Sequence, residues 1–257
     1  MPESENTSVT PPLPEQRSKP SLGKLLEWIG RYETRVLVAI VTMVAAVWFF
    51  IEIADEVRDG DTLSFDEWAI LTLRDPENPS IAIGPKWLSV VGRDLTALGG
   101  VTFLALLTMS VAGYLWLRKM HSAAILVVAI TLGASLSSIT LKGFYDRPRP
   151  VLVPHLTDVS TSSFPSGHAM LSTVVFLTLG TLLGRFTADW RLRAYFLGIA
   201  LALCLLVGVS RVYMGVHYPT DVLAGWVAGL VWGLICWLVT YELQRRGVIE
   251  WNQTLEK

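Results

Sequence analysis

Six long apolar blocks separated by short polar segments set the pattern of this chain: residues 36–54, 101–117, 123–141, 168–183, 194–209 and 222–241. About 20 mostly apolar residues in a helix cross the hydrocarbon core of a bilayer. Lipid offers no partner to an open strand edge, so continuous apolar blocks predict helices. The fourth and fifth blocks are short as bounded and extend by a turn into their polar flanks. The pattern therefore predicts an all-α integral membrane protein, a six-transmembrane-helix bundle. The loop over residues 55–100 opens acidic, with Asp55, Glu56, Asp59, Asp61, Asp66 and Glu67, and then holds Pro76, Pro79 and Pro85. Its later part, residues 86–98, has amphipathic spacing and predicts a short helix at the outer interface, anchored by Trp87. There Arg93 and Asp94 either face the mouth of a site or form a solvated ion pair.

Composition agrees with a membrane protein. Of 257 residues, 52% are hydrophobic and 17% charged, against about 25% charged in a typical soluble domain. A formal net charge of −1 gives no reason to expect a nucleic acid partner. Cys204 and Cys236 lie deep in apolar blocks, without disulfide or zinc spacing, and read as small buried hydrophobes. Residues 1–24 are polar and Pro-rich and lack the apolar core of a signal peptide, which predicts a disordered tail. Residues 21–33 have helical apolar spacing and predict an interfacial helix leading into the first span. The expected organisation is a tail over 1–24, a membrane domain over 25–245 and a C-terminal tail over 246–257.

Six spans put both termini on one side. Of the 21 Lys and Arg residues, 13 fall on the side of the termini and eight on the other. The positive-inside rule then makes the termini cytoplasmic.

Three polar islands fall on the opposite side, each at the end of a span. They are Lys142 to Pro150 (KGFYDRPRP), Pro165-Ser166-Gly167-His168, and Ser210 to Asp221 (SRVYMGVHYPTD). Ionisable groups at a membrane boundary are costly and mark a functional site by default. In the third island His217 and Asp221 are four apart, and Pro219 suits the first turn of a helix. A carboxylate there can bond one imidazole nitrogen and leave the other free as a nucleophile. Arg211 has the fork geometry that matches phosphate oxygens, although alone it also fits an Arg snorkelling at the membrane edge. Met214 has no evident role.

The second island reads as a turn opening a helix, whose free N–H groups form an anion site. Gly167 lets the backbone approach closely, Ser166 adds a hydroxyl donor, and His168 is placed to hand a proton to a leaving oxygen. In the first island Lys142 and Arg149 converge on one anion if the intervening loop folds back. Arg147 and Asp146 read as supporting or solvated residues.

In order, the islands read K-x6-R-P, P-S-G-H and S-R-x5-H-x3-D. This resembles the type 2 phosphatidic acid phosphatase (PAP2) superfamily, which includes lipid phosphate phosphatases and vanadium haloperoxidases. Lys142, Arg149, Pro150, Pro165, Ser166, Gly167, His168, Ser210, Arg211, His217 and Asp221 fill every defining position. The resemblance implies a PAP2/haloperoxidase-like helical core and roles for these residues. His217 would attack phosphorus and form a phosphohistidine, oriented by Asp221, while His168 protonates the leaving group and then activates water. Lys142, Arg149, Arg211, Ser166 and Gly167 would hold the phosphoryl oxygens. No cofactor or metal is expected, since fixed cations can neutralise the phosphoryl charge.

The substrate implied is a phosphorylated membrane lipid: phosphatidic acid, phosphatidylglycerophosphate, a polyprenyl diphosphate such as undecaprenyl diphosphate, or lipid A. The implied location is a bacterial inner membrane with the site facing the periplasm. A lipid phosphotransferase using the same intermediate and a non-catalytic lipid-phosphate binding or transport protein are the alternatives. The sequence does not set the oligomeric state.

Overall fold

The computed structural model describes residues 33–157 and 161–247. Both predicted tails and the predicted interfacial helix over 21–33 lie almost wholly outside the described residues. The chain divides into two compact units, Met1–Val38 and Ala39–Lys257, and the site described below belongs to the second.

Among the described residues the protein is helical, without strands beyond one isolated bridge between Arg74 and Ala82. The helices are α1 (Thr34–Asp59), α2 (Leu63–Thr72), α3 (Lys86–Ala97), α4 (Val101–Leu117), α5 (His121–Tyr145), α6 (Gly167–Arg185), α7 (Trp190–Tyr213) and α8 (Pro219–Arg245). Five of them, α1, α5, α6, α7 and α8, are each long and apolar enough to cross a bilayer. The sixth expected span, α4, has 17 residues and reaches that length only together with α3, from which it bends by 48°. The amphipathic segment predicted before α4 is thus a helix that runs almost directly into it.

α6 is the centre of the bundle. Buried residues make up 56% of its apolar window, against 17–28% in the other four spans. Val174, Val175 and Phe176 of α6 pack with Leu104 of α4, Ile130 and Ala134 of α5, and Ala200, Cys204 and Val207 of α7. Leu106, Leu132, Leu136 and Ile139 point outward, as expected of side chains that meet lipid tails rather than water. Ser135, Ser137 and Thr140 of α5 donate their hydroxyls to carbonyls one turn back, so these polar groups need no water inside the apolar layer. Cys204 is buried and Cys236 half-buried; neither forms a disulfide.

Candidate active site

The site is assembled at the shared end of α5, α6, α7 and α8. α8 begins at Pro219, as the sequence predicts, with Tyr218 at its N-cap. Asp221, three residues into that end, accepts the Tyr218 N–H through Oδ2 at 2.8 Å. A carboxylate here satisfies one of the free N–H groups of the helix start and meets the positive end of its dipole. The same requirement that places Asp221 also turns it toward His217, whose Nδ1 lies 3.5 Å from Asp221 Oδ2. That distance exceeds a hydrogen bond, and Nδ1 has no partner among the described residues. Oδ2 is taken instead by Tyr218 N–H and by the Ser163 hydroxyl.

His217 is almost completely buried. Burial pushes its imidazole down to about 3; the contact with Asp221 works in the opposite direction and is overcome. The ring is therefore neutral at ordinary pH, with Nε2 3.3 Å from Arg149 Nη1. Burial also lowers the Arg149 guanidinium from its ordinary value, against an upward pull from Asp221.

The loop after α5 does fold back. Arg149 donates through Nε to the Thr161 carbonyl at 2.7 Å and through Nη1 to the Val216 carbonyl at 2.6 Å. Lys142 donates to the Ser162 carbonyl, and the Ser162 hydroxyl returns a bond to the Lys142 carbonyl at 2.9 Å. Thr161 and Ser162 thus strap Lys142 and Arg149 together. Lys142 also passes beside the start of α6, since a methyl on Gly167 would come within 3.4 Å of its Cε.

The second and third islands are joined by backbone: Ser166 N–H donates to the Asp221 carbonyl at 2.9 Å. Ser166 is the N-cap of α6 and its Oγ faces the Ala169 N–H at 3.5 Å, so the hydroxyl serves the helix start as well as the site. His168 is half-buried and faces the Gly99–Gly100 junction between α3 and α4, where a methyl on Gly99 would come 3.3 Å from it. It lies within electrostatic reach of Arg211, His217, Lys142 and Arg149.

Arg211 is buried in the last turn of α7. Its Nη1 donates to Thr96 Oγ1 at 2.9 Å, while its Nε has no acceptor among the described residues. A buried donor without an acceptor costs about 1–3 kcal/mol, and one on a guanidinium within electrostatic reach of another, that of Arg149, is suited to an oxyanion.

All eight expected site residues are therefore gathered in one place. Arg93 and Asp94 stay exposed; the contribution of α3 is Thr96, one turn further on. Met214 is buried against Tyr213, Val216 and Leu88 and takes the Leu156 N–H on its carbonyl at 3.1 Å, a packing role.

Asp66 and Thr220 have no role in the sequence reading, and Arg147, read there as supporting or solvated, is the residue that joins them. Asp66, within the acidic run of the first loop, is fully buried and forms an ion pair with Arg147 at 2.8 Å. Arg147 pairs on its other side with Asp221 at 2.7 Å, and Thr220 bonds to both Asp66 and Arg147. Burial pulls the Arg147 guanidinium down, but the charges of Asp221 and Asp66 outweigh it and raise the group above its ordinary value. Among the described residues no three His, Cys, Asp or Glu side chains gather as ligands for a metal ion.

Residues 122–245 match the model of the PAP2 superfamily. Phosphatidylglycerophosphatase B of Bacillus subtilis is 33% identical over 187 residues, covering 71% of this chain and 87% of that protein. An undecaprenyl-diphosphatase of Sulfolobus acidocaldarius is 41% identical over 106 residues, 40% of this chain and 46% of that protein. A crystal structure of a transmembrane PAP2-type phosphatidylglycerolphosphate phosphatase from Bacillus subtilis superposes with a TM-score of 0.69 at 29% identity, over 79% of this chain and 98% of that one. With the helical bundle, the three converging islands and a relative matched over most of its length, this integral membrane chain belongs to the PAP2 superfamily, as a phosphoric ester or diphosphate hydrolase.

Proposed function

We propose that the protein is a lipid phosphatase of the bacterial inner membrane, removing a phosphate from a lipid monoester or diphosphate through a phosphohistidine on the extracytoplasmic face. The observation that carries this reading is the state of His217: buried, neutral, with Nδ1 toward Asp221 and Nε2 toward a cluster of fixed cations. With Nδ1 holding the proton, the Nε2 lone pair attacks phosphorus. The bond from phosphorus to the leaving oxygen breaks as His168 delivers a proton to that oxygen. His168 then takes a proton from water, whose oxygen bonds to phosphorus as the phosphorus–Nε2 bond breaks; inorganic phosphate leaves, the electron pair returns to Nε2 and His217 is neutral again. The His217–Asp221 separation shortens as the ring acquires charge, as catalytic contacts do on substrate binding.

Lys142, Arg149 and Arg211 neutralise the phosphoryl oxygens, and the unsatisfied Arg211 Nε donates its hydrogen to one of them. The Gly167 N–H, at the positive end of α6, supports the same charge. Preorganised donors of this kind are usually the largest single contribution to rate. Arg149, now beside Nε2, moves from the nucleophile to the phosphoryl group as substrate enters. The names of the relatives favour phosphatidylglycerophosphate or a polyprenyl diphosphate as substrate. The apolar chains would remain in the bilayer while the head group enters the polar end of the bundle.

The test is phosphate release by the purified protein in detergent from phosphatidic acid, phosphatidylglycerophosphate, undecaprenyl diphosphate and lipid A, with no acceptor lipid and with EDTA present. Release is expected from at least one of them, and His217→Ala is expected to lower turnover by roughly 10³-fold or more. Unchanged turnover in His217→Ala would place the chemistry elsewhere, and consumption of the substrate only on addition of an acceptor lipid, with the phosphoryl group recovered on that acceptor and no free phosphate, would make the protein a phosphotransferase.

A further inference from the structure

Asp66 comes from α2, in the loop between the first two spans, far in sequence from the three islands. It is fully buried, and a buried carboxylate is kept only where it is paired and hydrogen-bonded. Its Oδ2 accepts from Arg147 Nη2 at 2.8 Å and from the Thr220 hydroxyl at 2.6 Å, and its Oδ1 accepts the Thr220 N–H at 3.2 Å. Arg147 donates its other nitrogen, Nη1, to Asp221 Oδ1 at 2.7 Å and to Thr220 Oγ1 at 2.9 Å. The guanidinium also lies 4.3 Å from the centre of the Tyr218 ring. One fork thus bridges two buried carboxylates, with every donor direction fixed by a planar group.

We propose that Asp66 is a positioning residue for the proposed reaction: it holds Arg147, Arg147 sets the rotation and net charge of the Asp221 carboxylate, and Asp221 orients His217. This rests on the reading of His217 as nucleophile. Two consequences follow from the geometry. First, Arg147 grips Oδ1 of Asp221, which leaves Oδ2 as the oxygen turned toward the imidazole. Second, two carboxylates share one guanidinium, so the buried trio carries a net negative charge. A lone Arg147–Asp221 pair would be neutral and would offer little to a ring that gains positive charge as its nitrogen bonds to phosphorus. The second carboxylate keeps the group behind the nucleophile anionic without adding an acceptor that competes for the ring. Long-range charge of this kind acts strongly in a site removed from water.

Asp66→Asn tests this, because it keeps the shape and removes the charge. The full chain is purified in detergent, and phosphate release from phosphatidic acid or whichever lipid of the panel the wild type hydrolyses is measured, with inorganic phosphate as competitive inhibitor. Asp66→Asn is expected to lower kcat by about 10- to 100-fold while the Ki for phosphate stays within about twofold, since nothing that touches the phosphoryl group has changed. In the Arg147→Gln background the same substitution is expected to cost almost nothing further, because Asp66 acts through Arg147. A kcat within about twofold of the wild type, or losses that simply multiply in the double variant, would overturn the proposal.

Should Asp66→Asn fail to fold, Thr220→Val removes the hydroxyl joining Asp66 to Arg147 and leaves both charges. It is expected to lower kcat by about threefold or more at an unchanged Ki, and no change there would equally overturn the role of Asp66. A wild type that releases no phosphate from any lipid overturns this inference together with the function it rests on. An active wild type with an indifferent Asp66→Asn overturns this inference alone.

Discussion

His217 is held between two opposing effects. Burial disfavours its protonated form and Asp221 favours it; burial prevails and the folded value falls to about 3 from an ordinary 6.5. The unfolded chain therefore binds a proton on this ring between about pH 3 and 6.5 that the folded chain does not. The stability that His217 contributes is complete above pH 6.5 and is lost as pH falls through that window, at up to about 1.4 kcal/mol per pH unit. Denaturation of the wild type and His217→Ala between pH 4 and 7 checks this, on the order of one unit steps giving a steeper acid loss in the wild type; parallel curves would show that the ring is not buried neutral. His217, His168, Asp221 and the three cations were legible in the sequence because their types and spacing carry the chemistry. Asp66, Thr96 and Ser163 were not. Each acts through a contact with a residue distant in sequence, and an Asp in an acidic loop looks the same whether it is solvated or buried beneath an Arg.

At the scale of elements, the spans were legible because lipid leaves a continuous apolar stretch no alternative to helix. α2 was missed: its ten residues include Asp66 and Glu67 and sit in a run that reads as an acidic loop. The contact that fixes the second island against the third was also missed, and it lies in α8. Gly225 and Gly229 are four apart, the spacing that lets two membrane helices approach closely. A methyl on Gly225 would come 2.6 Å from the Ser166 carbonyl oxygen and 2.9 Å from Ala169 Cβ; one on Gly229 would come 2.8 Å from the Met170 carbonyl oxygen. Backbone oxygens cannot rotate away, so Gly225→Ala must push the first turn of α6 off α8. That turn carries Ser166, Gly167 and His168 and is tied to Asp221 through the Ser166 N–H. The expected outcome is a loss of about 1–3 kcal/mol in thermal unfolding in detergent, with a fall in phosphate release. Gly233→Ala is the control on the same helix. Nothing lies within 4 Å of its added methyl, and its stability is expected to stay within about 0.5 kcal/mol of the wild type. Equal effects at the two positions would mean that close approach of α8 to α6 does not hold the site.

For the molecule as a whole, the islands meet at one end of the bundle, so one site can draw on four helices only if α5 and α7 end where α6 and α8 begin. That alternation is what six crossings impose, with the bent α3–α4 pair as the second. The charge bias predicts the direction. The side of the termini holds 13 Lys and Arg residues and the other side eight, of which Lys142, Arg147, Arg149 and Arg211 belong to the islands. Four basic residues remain on that side to orient the chain, so the bias toward cytoplasmic termini is stronger than the raw counts. Two exposed positions test it without altering charge. Val151 follows the first island, and Ala188 lies in the turn between α6 and α7 at the opposite end. In a chain with Cys204 and Cys236 replaced by Ala, a membrane-impermeant maleimide is expected to label Val151→Cys in intact cells. Ala188→Cys is expected to react only after the membrane is opened. The reverse pattern would put His217 and its cations in the cytoplasm, and the lipid phosphate would then have to reach them from the inner leaflet.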